Sequence, residues 1–158
     1  MIKGRRIYLR LIERSDINIL YNMCNDDSVA KYNNVLPKKN YLFNNFHIIR
    51  RSPNKILSII NEKGVIVGFM DYRSYYDSIY TIGVTIGKRF WRRGYGKESI
   101  ETLADYLFKE LKVKQIVVEV MKENTRAIEC CKSCGFIGKE SIEKDGETII
   151  RMFLLKRE

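Results

Sequence analysis

Apolar positions along this chain repeat with two periods, and the switches between them mark out its elements. Residues 6–12 alternate, with Ile7, Leu9 and Leu11 to one side and Tyr8 and Arg10 to the other, which predicts a strand. Ile17, Leu20, Tyr21 and Cys24 then fall on one helical stripe, entered through the N-cap residues of Glu13-Arg14-Ser15-Asp16 and stopped by Asn25-Asp26-Asp27-Ser28. Residues 29–37 read as loop closing at Pro37. A second helix is predicted over 41–50, with Leu42, Phe43, Phe46 and Ile49 inward and Ser52-Pro53-Asn54 ending it. Strands over 56–60 and 65–72 flank Asn61-Glu62-Lys63-Gly64, a hairpin signal. Residues 74–78 read as a further turn, and 79–86 as the next strand.

The longest amphipathic pattern follows. Ile100, Leu103, Ala104, Leu107, Phe108 and Leu111 recur at the spacing of one buried helical face. Residues 115–121 form another apolar strand, 124–134 a short helix stopped by Gly135, and 136–144 and 147–155 a hairpin turning at Asp145-Gly146. In order the elements run strand, two helices, three strands, helix, strand, helix, two strands. That order predicts a mixed α/β chain in one domain spanning residues 1–158.

Composition narrows the class. Of 158 residues, 45% are apolar and 30% charged, the balance of a soluble globular protein. No apolar run approaches the ~18 residues of a membrane span, and no apolar stretch follows the charged N-terminus as in a signal peptide. Three of the four cysteines crowd into residues 130–134 on one predicted helix, which fits a reduced cytoplasm better than a disulfide framework. Cys131 and Cys134 form C-x-x-C, but a metal needs a second ligand pair; only Cys24 and His47 remain, so no metal is expected. The net charge of +10 calls for an acidic partner or a generally basic surface.

Part of that charge is concentrated where it can do chemistry. Between the strand at 79–86 and the long helix lies Arg92-Arg93-Gly94-Tyr95-Gly96-Lys97, with Lys88 and Arg89 just before it. Glycines at a helix start admit a ligand close to the backbone, and the unpaired N–H groups and helix dipole there favour an anion. The stretch predicts a seat for a phosphate or pyrophosphate. It is not a P-loop, because Trp91 stands five before Gly96 and Glu98 follows Lys97. It is not the dinucleotide fingerprint either, because position 99 is Ser.

A strand, a basic x-x-x-G-x-G loop and a long helix resemble motif A of the GNAT acetyltransferases, Q/R-x-x-G-x-G/A, which holds the pyrophosphate of acetyl-CoA. Here it covers residues 91–96, with Trp91 in place of the usual Gln or Arg, as in the RimJ/RimL-like branch. Asn124-Thr125-Arg126-Ala127-Ile128-Glu129-Cys130-Cys131-Lys132-Ser133-Cys134-Gly135-Phe136 resembles motif B, N-x-x-A-x-x-x-Y-x-x-x-G-F. The resemblance spans nearly the whole chain. It implies a GNAT-like fold, a central mixed, mostly antiparallel sheet of about six to seven strands flanked by about four helices. It implies that Trp91, Arg92, Arg93, Gly94, Tyr95, Gly96 and Lys97 seat the pyrophosphate of acetyl-CoA, and that Val84, Thr85, Ile86, Asn124 and Ala127 hold its pantetheine arm.

Two family side chains are missing. The Tyr that often protonates the departing thiolate falls at Cys131, and the Glu that often serves as base falls at Thr81. A lysine-like amine with pKa ~10.4 is neutral about once in ~2,500 at pH 7, a cost of roughly 4–5 kcal/mol that a base must offset. Glu119, the carboxylate in the apolar strand 116–120, is the first candidate for base, followed by Asp71 with Tyr72; Cys131 is the candidate acid. Tyr80 and Thr81 could hold a water. His47, the single histidine, reads as structural or surface.

The expected activity is acetyl transfer from acetyl-CoA to a primary amine by direct attack in a ternary complex. Acceptors in the family include protein N-termini, polyamines, aminoglycosides and amino sugars. Residues 13–51 and the 72–78 loop would choose among them, and Asp26-Asp27 could receive a cationic one. The basic surface slightly disfavours a free polycation and is compatible with a ribosome-bound protein substrate, and the family leaves room for a homodimer. The competing reading is a catalytically weak CoA-binding sensor or nucleic-acid-binding module, though no nucleic-acid motif is present.

Overall fold

A computed structural model describes residues 1–32 and 39–157, without the side chains of Lys39, Asn40 and Lys139. The loop expected over 29–37 therefore falls largely outside the described residues. One sheet organises the molecule. Its strands are β1 (Ile2–Lys3), β2 (Ile7–Leu11), β3 (Lys55–Asn61), β4 (Ile66–Tyr76), β5 (Ile79–Ile86), β6 (Gln115–Met121), β7 (Ile137–Lys144) and β8 (Glu147–Leu155). They lie in the order β1-β2-β3-β4-β5-β6-β8-β7, and every neighbouring pair is antiparallel except β5–β6. The two-residue β1 is the strand that the alternation did not predict; it is too short to show a period.

Helices cover both sides. They are α1 (Asp16–Cys24), α2 (Asp27–Ala30), α3 (Lys39–Asn44), α4 (Phe46–Arg51), α5 (Tyr95–Lys109) and α6 (Thr125–Ser133). The long apolar stripe is the face that α5 buries: Ile100, Leu103, Ala104 and Leu107 pack on Ile7, Leu9, Met70, Ile82, Ile116, Val118 and Met152. Leu111 departs from this expectation. The helix stops at Lys109, and Leu111 is 39% exposed. On the other side Ile12, Ile17, Leu20, Cys24, Leu42 and Phe69 make a smaller core.

Three further expectations change. The helix predicted over 41–50 is two helices, because Asn45 leaves helical geometry and its side-chain Nδ2 donates to the Tyr41 carbonyl at 3.0 Å. Asp26 and Asp27 begin α2, with the Asp26 carboxylate accepting from Ser28 N at 2.9 Å. Asp26 is thus engaged as a cap. The hairpin after β4 is tighter than the 74–78 turn: β4 runs to Tyr76, and Asp77-Ser78 make the turn.

α1 is anchored by a buried charge. Asp16, 2% exposed, accepts from Arg10 Nη1 at 2.6 Å, Glu13 N at 2.9 Å and Ser58 Oγ at 2.8 Å. Burial pushes its pKa up, but the bonds from Arg10, Glu13 and Ser58 outweigh it, and the net shift is downward.

Candidate active site

The parallel ladder between β5 and β6 is short. Ile79, Tyr80 and Thr81 pair with Gln115, Ile116 and Val117, and there the ladder ends, while β5 continues to pair with β4 as far as Ile86. The two strands diverge, opening a wedge whose β5 wall is the backbone of residues 82–86. Side chains alternate across that wall. Ile82, Val84 and Ile86 join the core beneath α5; Thr81, Gly83 and Thr85 lie on the opposite face.

The wedge leads to the basic loop. After Ile86 the chain makes one 3-10 turn, Lys88–Phe90, and enters α5 through Gly94. Gly94 adopts φ +81°, a conformation that L side chains rarely take, and Arg92 is also left-handed at +64°. Left-handed residues interleaved with ordinary ones turn successive N–H groups to one side, making an anion-binding concavity at the helix start. Gly96 differs from Gly94. A Cβ built there meets Ile86 Cγ1 at 3.7 Å and Cys130 Sγ at 3.8 Å, ordinary contacts, so the fold itself leaves room for one.

The loop is braced from three directions. Arg6, from β2's entrance, bonds Glu98 Oε1 at 3.0 Å, donates to the Arg93 carbonyl at 2.9 Å and lies over the Tyr95 ring at 5.1 Å. Glu98 also accepts from the backbone of Arg6 and Ile7, at 2.6 and 3.1 Å. Partial burial pushes the Glu98 pKa up, but these donors hold it below the usual carboxylate range. Trp91 donates its indole Nε1–H to the Ile86 carbonyl at 2.7 Å, pinning the loop to the end of β5. Its ring supports the Arg126 guanidinium at 3.8 Å, which ties the loop to α6. Burial holds the Arg126 pKa below its ordinary value. Neither Arg6 nor Arg126 is conspicuous in the sequence, since both depend on long-range packing. Arg92, Arg93 and Lys97 remain exposed at the mouth.

α6 forms the far wall. Asn124 is its N-cap, with Oδ1 accepting from Ala127 N at 3.3 Å; the Nδ2 donor is not used by the cap. Cys131 and Cys134 face different ways. Cys131 is buried in the core under α5, and burial pushes its thiol up to about 12. Cys134 Sγ lies 3.7 Å from the Lys97 carbonyl. Cys130 faces Gly96, and the Cys134 thiol with Arg126 and Lys97 holds its pKa down.

The two side chains singled out for catalysis are on opposite faces of the sheet. Cys131 shares the core of Ile116 and Val118, whereas Glu119 alternates away from them with Val117. Glu119 lies two residues past the last β5–β6 pair and is ion-paired with Arg151 at 3.4 Å, which also holds Glu140 at 3.4 Å. A shallow cavity of about 140 Å³ lies on this face, between Thr81, Glu119, Arg151 and Tyr75. Asp71 is also on this face: it pairs with Gly83 across β4–β5, and its carboxylate occupies the space a side chain at 83 would fill. Tyr72, its neighbour, is turned into the core, and burial pushes its hydroxyl up to about 12. His47 is exposed on α4.

Residues 6–137 match the family model described as an acetyltransferase (GNAT) domain. Over 170 aligned residues the chain is 28% identical to the uncharacterized N-acetyltransferase p20 of Bacillus licheniformis, covering 97% of this chain and 94% of that protein. The fold superposes on a GNAT-family acetyltransferase from Bacillus anthracis with a TM-score of 0.85 at 21% identity, covering 98% and 97% of the two chains. It superposes on the spermidine N-acetyltransferase of Vibrio cholerae in complex with CoA and spermine with a TM-score of 0.83 at 20% identity, covering 95% of each. A helix start opened by a left-handed glycine, a wedge between β5 and β6 and a family match over most of the length agree: the chain is an N-acetyltransferase of the GNAT family, with acetyl-CoA as its co-substrate.

Proposed function

We propose that this protein transfers the acetyl group of acetyl-CoA to a primary amine that approaches from the α1–α4 side of the sheet. The observation that carries the reading is the early end of the β5–β6 ladder, which leads from the Gly94–Gly96 helix start to the side where Asp71 and Glu119 lie. In this reading the first turn of α5 and Arg92, Arg93 and Lys97 hold the pyrophosphate, and Tyr95 fixes the helix start from within. Trp91 shapes the mouth. The backbone of Val84, Thr85 and Ile86, with Asn124 Nδ2 and the small Ala127, lines the pantetheine arm. Backbone N–H groups of β5 polarise the thioester carbonyl.

Of the two proposed catalytic side chains, Glu119 fits the rim of the acceptor site, where its carboxylate, positioned by Arg151, would accept from a cationic amine. Cys131 fits a packing role beneath it, since a thiol raised to about 12 is a reluctant acid. The acidic groups on this side favour a cationic small molecule such as a polyamine, the substrate named for the Vibrio cholerae enzyme. A protein N-terminus, the substrate of RimJ/RimL-like relatives, is the second acceptor class.

Free-thiol release from acetyl-CoA, measured with spermidine, an aminoglycoside, an amino sugar and a short peptide in parallel, tests the reading. Transfer to at least one amine is expected. A thermal shift with acetyl-CoA but no transfer to any of the four would instead support a CoA-binding module without catalysis.

A further inference from the structure

We propose that Asp71 is the general base of the transfer, taking a proton from the acceptor's ammonium over Gly83. The inference rests on the acetyltransferase reading above and adds to it the group that prepares the amine.

The placement follows from register. Asp71 pairs with Gly83 across β4–β5, and the β5–β6 ladder ends two residues before Gly83, at Thr81. Gly83 is therefore the first residue on that face past the point where the strands part. A methyl group at 83 would overlap Asp71 Oδ1, so the carboxylate leans over the bare backbone of β5 at the head of the wedge. Glycine here is a requirement of the carboxylate. Nearest Asp71 on that face are Arg73 and Glu119, with Arg151 and Glu140 behind Glu119; Tyr75 lines the same cavity as Glu119, and toward α1 Arg10 and Asp16 are paired with each other. Arg73 Nε stands 3.6 Å from Asp71 Oδ2, a loose contact between side chains 64% and 40% exposed. Glu119 is held by Arg151, and Arg151 is shared with Glu140, so Asp71 is the less committed carboxylate. Burial pushes the Asp71 pKa up, and Arg73 offsets this only in part. A carboxylate of raised pKa is a better proton acceptor.

The proton balance is complete for a primary amine. One ammonium proton passes to Asp71. The freed lone pair attacks the thioester carbonyl carbon, the N–C bond forms and the C–S bond breaks. A second nitrogen proton goes to the departing sulfur, the third stays on the amide, and Asp71 returns its proton to solvent.

The test is a pH–rate series with the amine that the wild type acetylates best, on wild type, Asp71→Asn and Gly83→Ala, alongside acetyl-CoA thermal shifts. Asp71→Asn should lower kcat/KM near pH 7 by roughly a hundredfold, with acetyl-CoA binding unchanged. Its deficit should narrow as pH rises toward ~10.4, where the acceptor supplies its own neutral form. The inflection that loss of the carboxylate puts on the wild-type profile as pH falls should be absent from the variant, whose rate follows the neutral fraction of the amine throughout. Gly83→Ala should lower the rate likewise, because it displaces the carboxylate without removing it. If wild type acetylates an amine and Asp71→Asn matches it in rate and profile, the assignment is overturned. A deficit that stays constant across pH also overturns it, since that marks a structural role. If wild type acetylates none of the amines, the broader reading has failed instead.

Discussion

The two faces of the sheet solve different problems. Toward α5 and α6 the inward positions of β2 through β8 are almost uniformly aliphatic, and a fifteen-residue helix covers them. Toward α1–α4 the covering helices have nine residues or fewer, the buried core is small, and Asp16, Ser58, Asp71, Glu119 and Arg151 interrupt the apolar pattern. The first face is dominated by burial, which holds the two walls of the wedge in place. The second gives up continuous burial and keeps carboxylates beside the opening. Asp16 shows what happens to such a charge when its purpose is structural: it is ringed by donors. Asp71 has one loose partner.

Breaking the α5 face should have the largest effect. Leu103 is fully buried on the inner face of α5, and Leu103→Ala should cost about 2–5 kcal/mol through lost transfer energy and a residual cavity, read as a drop in melting temperature. Asp16→Asn comes next, at ~3 kcal/mol, because it leaves Arg10 without its buried counter-charge. The pH dependence has a definite sign. The folded pKa of Asp16 lies below the unfolded ~3.9, so its contribution is complete above that value and is lost as pH falls through the folded pKa. Glu98 acts in the same direction. Acid unfolding of Asp16→Asn should therefore be less steep than that of wild type.

Gly96→Ala sharpens the contrast between fold and site. A Cβ at 96 makes only ordinary contacts, so stability without ligand should change by less than about 1 kcal/mol. Acetyl-CoA affinity should fall tenfold or more, at least ~1.4 kcal/mol, measured by calorimetry. Gly94→Val should lose both, because φ +81° strains any other residue.

How far the sequence could be read follows the same division. The α5 face was legible because a buried helix and buried strands leave unbroken periods. Ile100, Leu103, Ala104 and Leu107 are buried as their spacing predicts, and Leu111 fails only because the helix ends before it. The start of α5 was legible from its glycines, although the sequence treats Gly94 and Gly96 alike and only Gly94 has a left-handed backbone. The other face was harder. Short helices such as α2 and α4 carry too few turns to show a period, and Asn45 breaks a stripe that looks continuous. Glu119 stands out in sequence because its strand is apolar; Asp71 ranks second there, and only the register that sets Gly83 beside it brings it forward. Arg126 on Trp91 is a contact between α6 and the loop that no local pattern signals.

The smallest effect should be at Glu119, and it divides the acceptor side. Its carboxylate is partly exposed, at 33%, and its 3.4 Å pair with Arg151 is worth about 0–1 kcal/mol, as for surface pairs generally. Glu119→Gln keeps the size and one acceptor oxygen, so stability should change by less than ~1 kcal/mol. If Glu119 only orients the amine, the variant should raise the acceptor KM several-fold, leave kcat within about twofold, and keep the shape of the pH profile, because a lost ground-state contact weakens binding without touching proton transfer. High salt should shrink the difference, since the interaction is between partly exposed charges. A steep fall in kcat at neutral pH that recovers at high pH would instead make Glu119 the base. Measured beside Asp71→Asn on one amine, the two profiles assign orientation and proton transfer to separate carboxylates or return both roles to one.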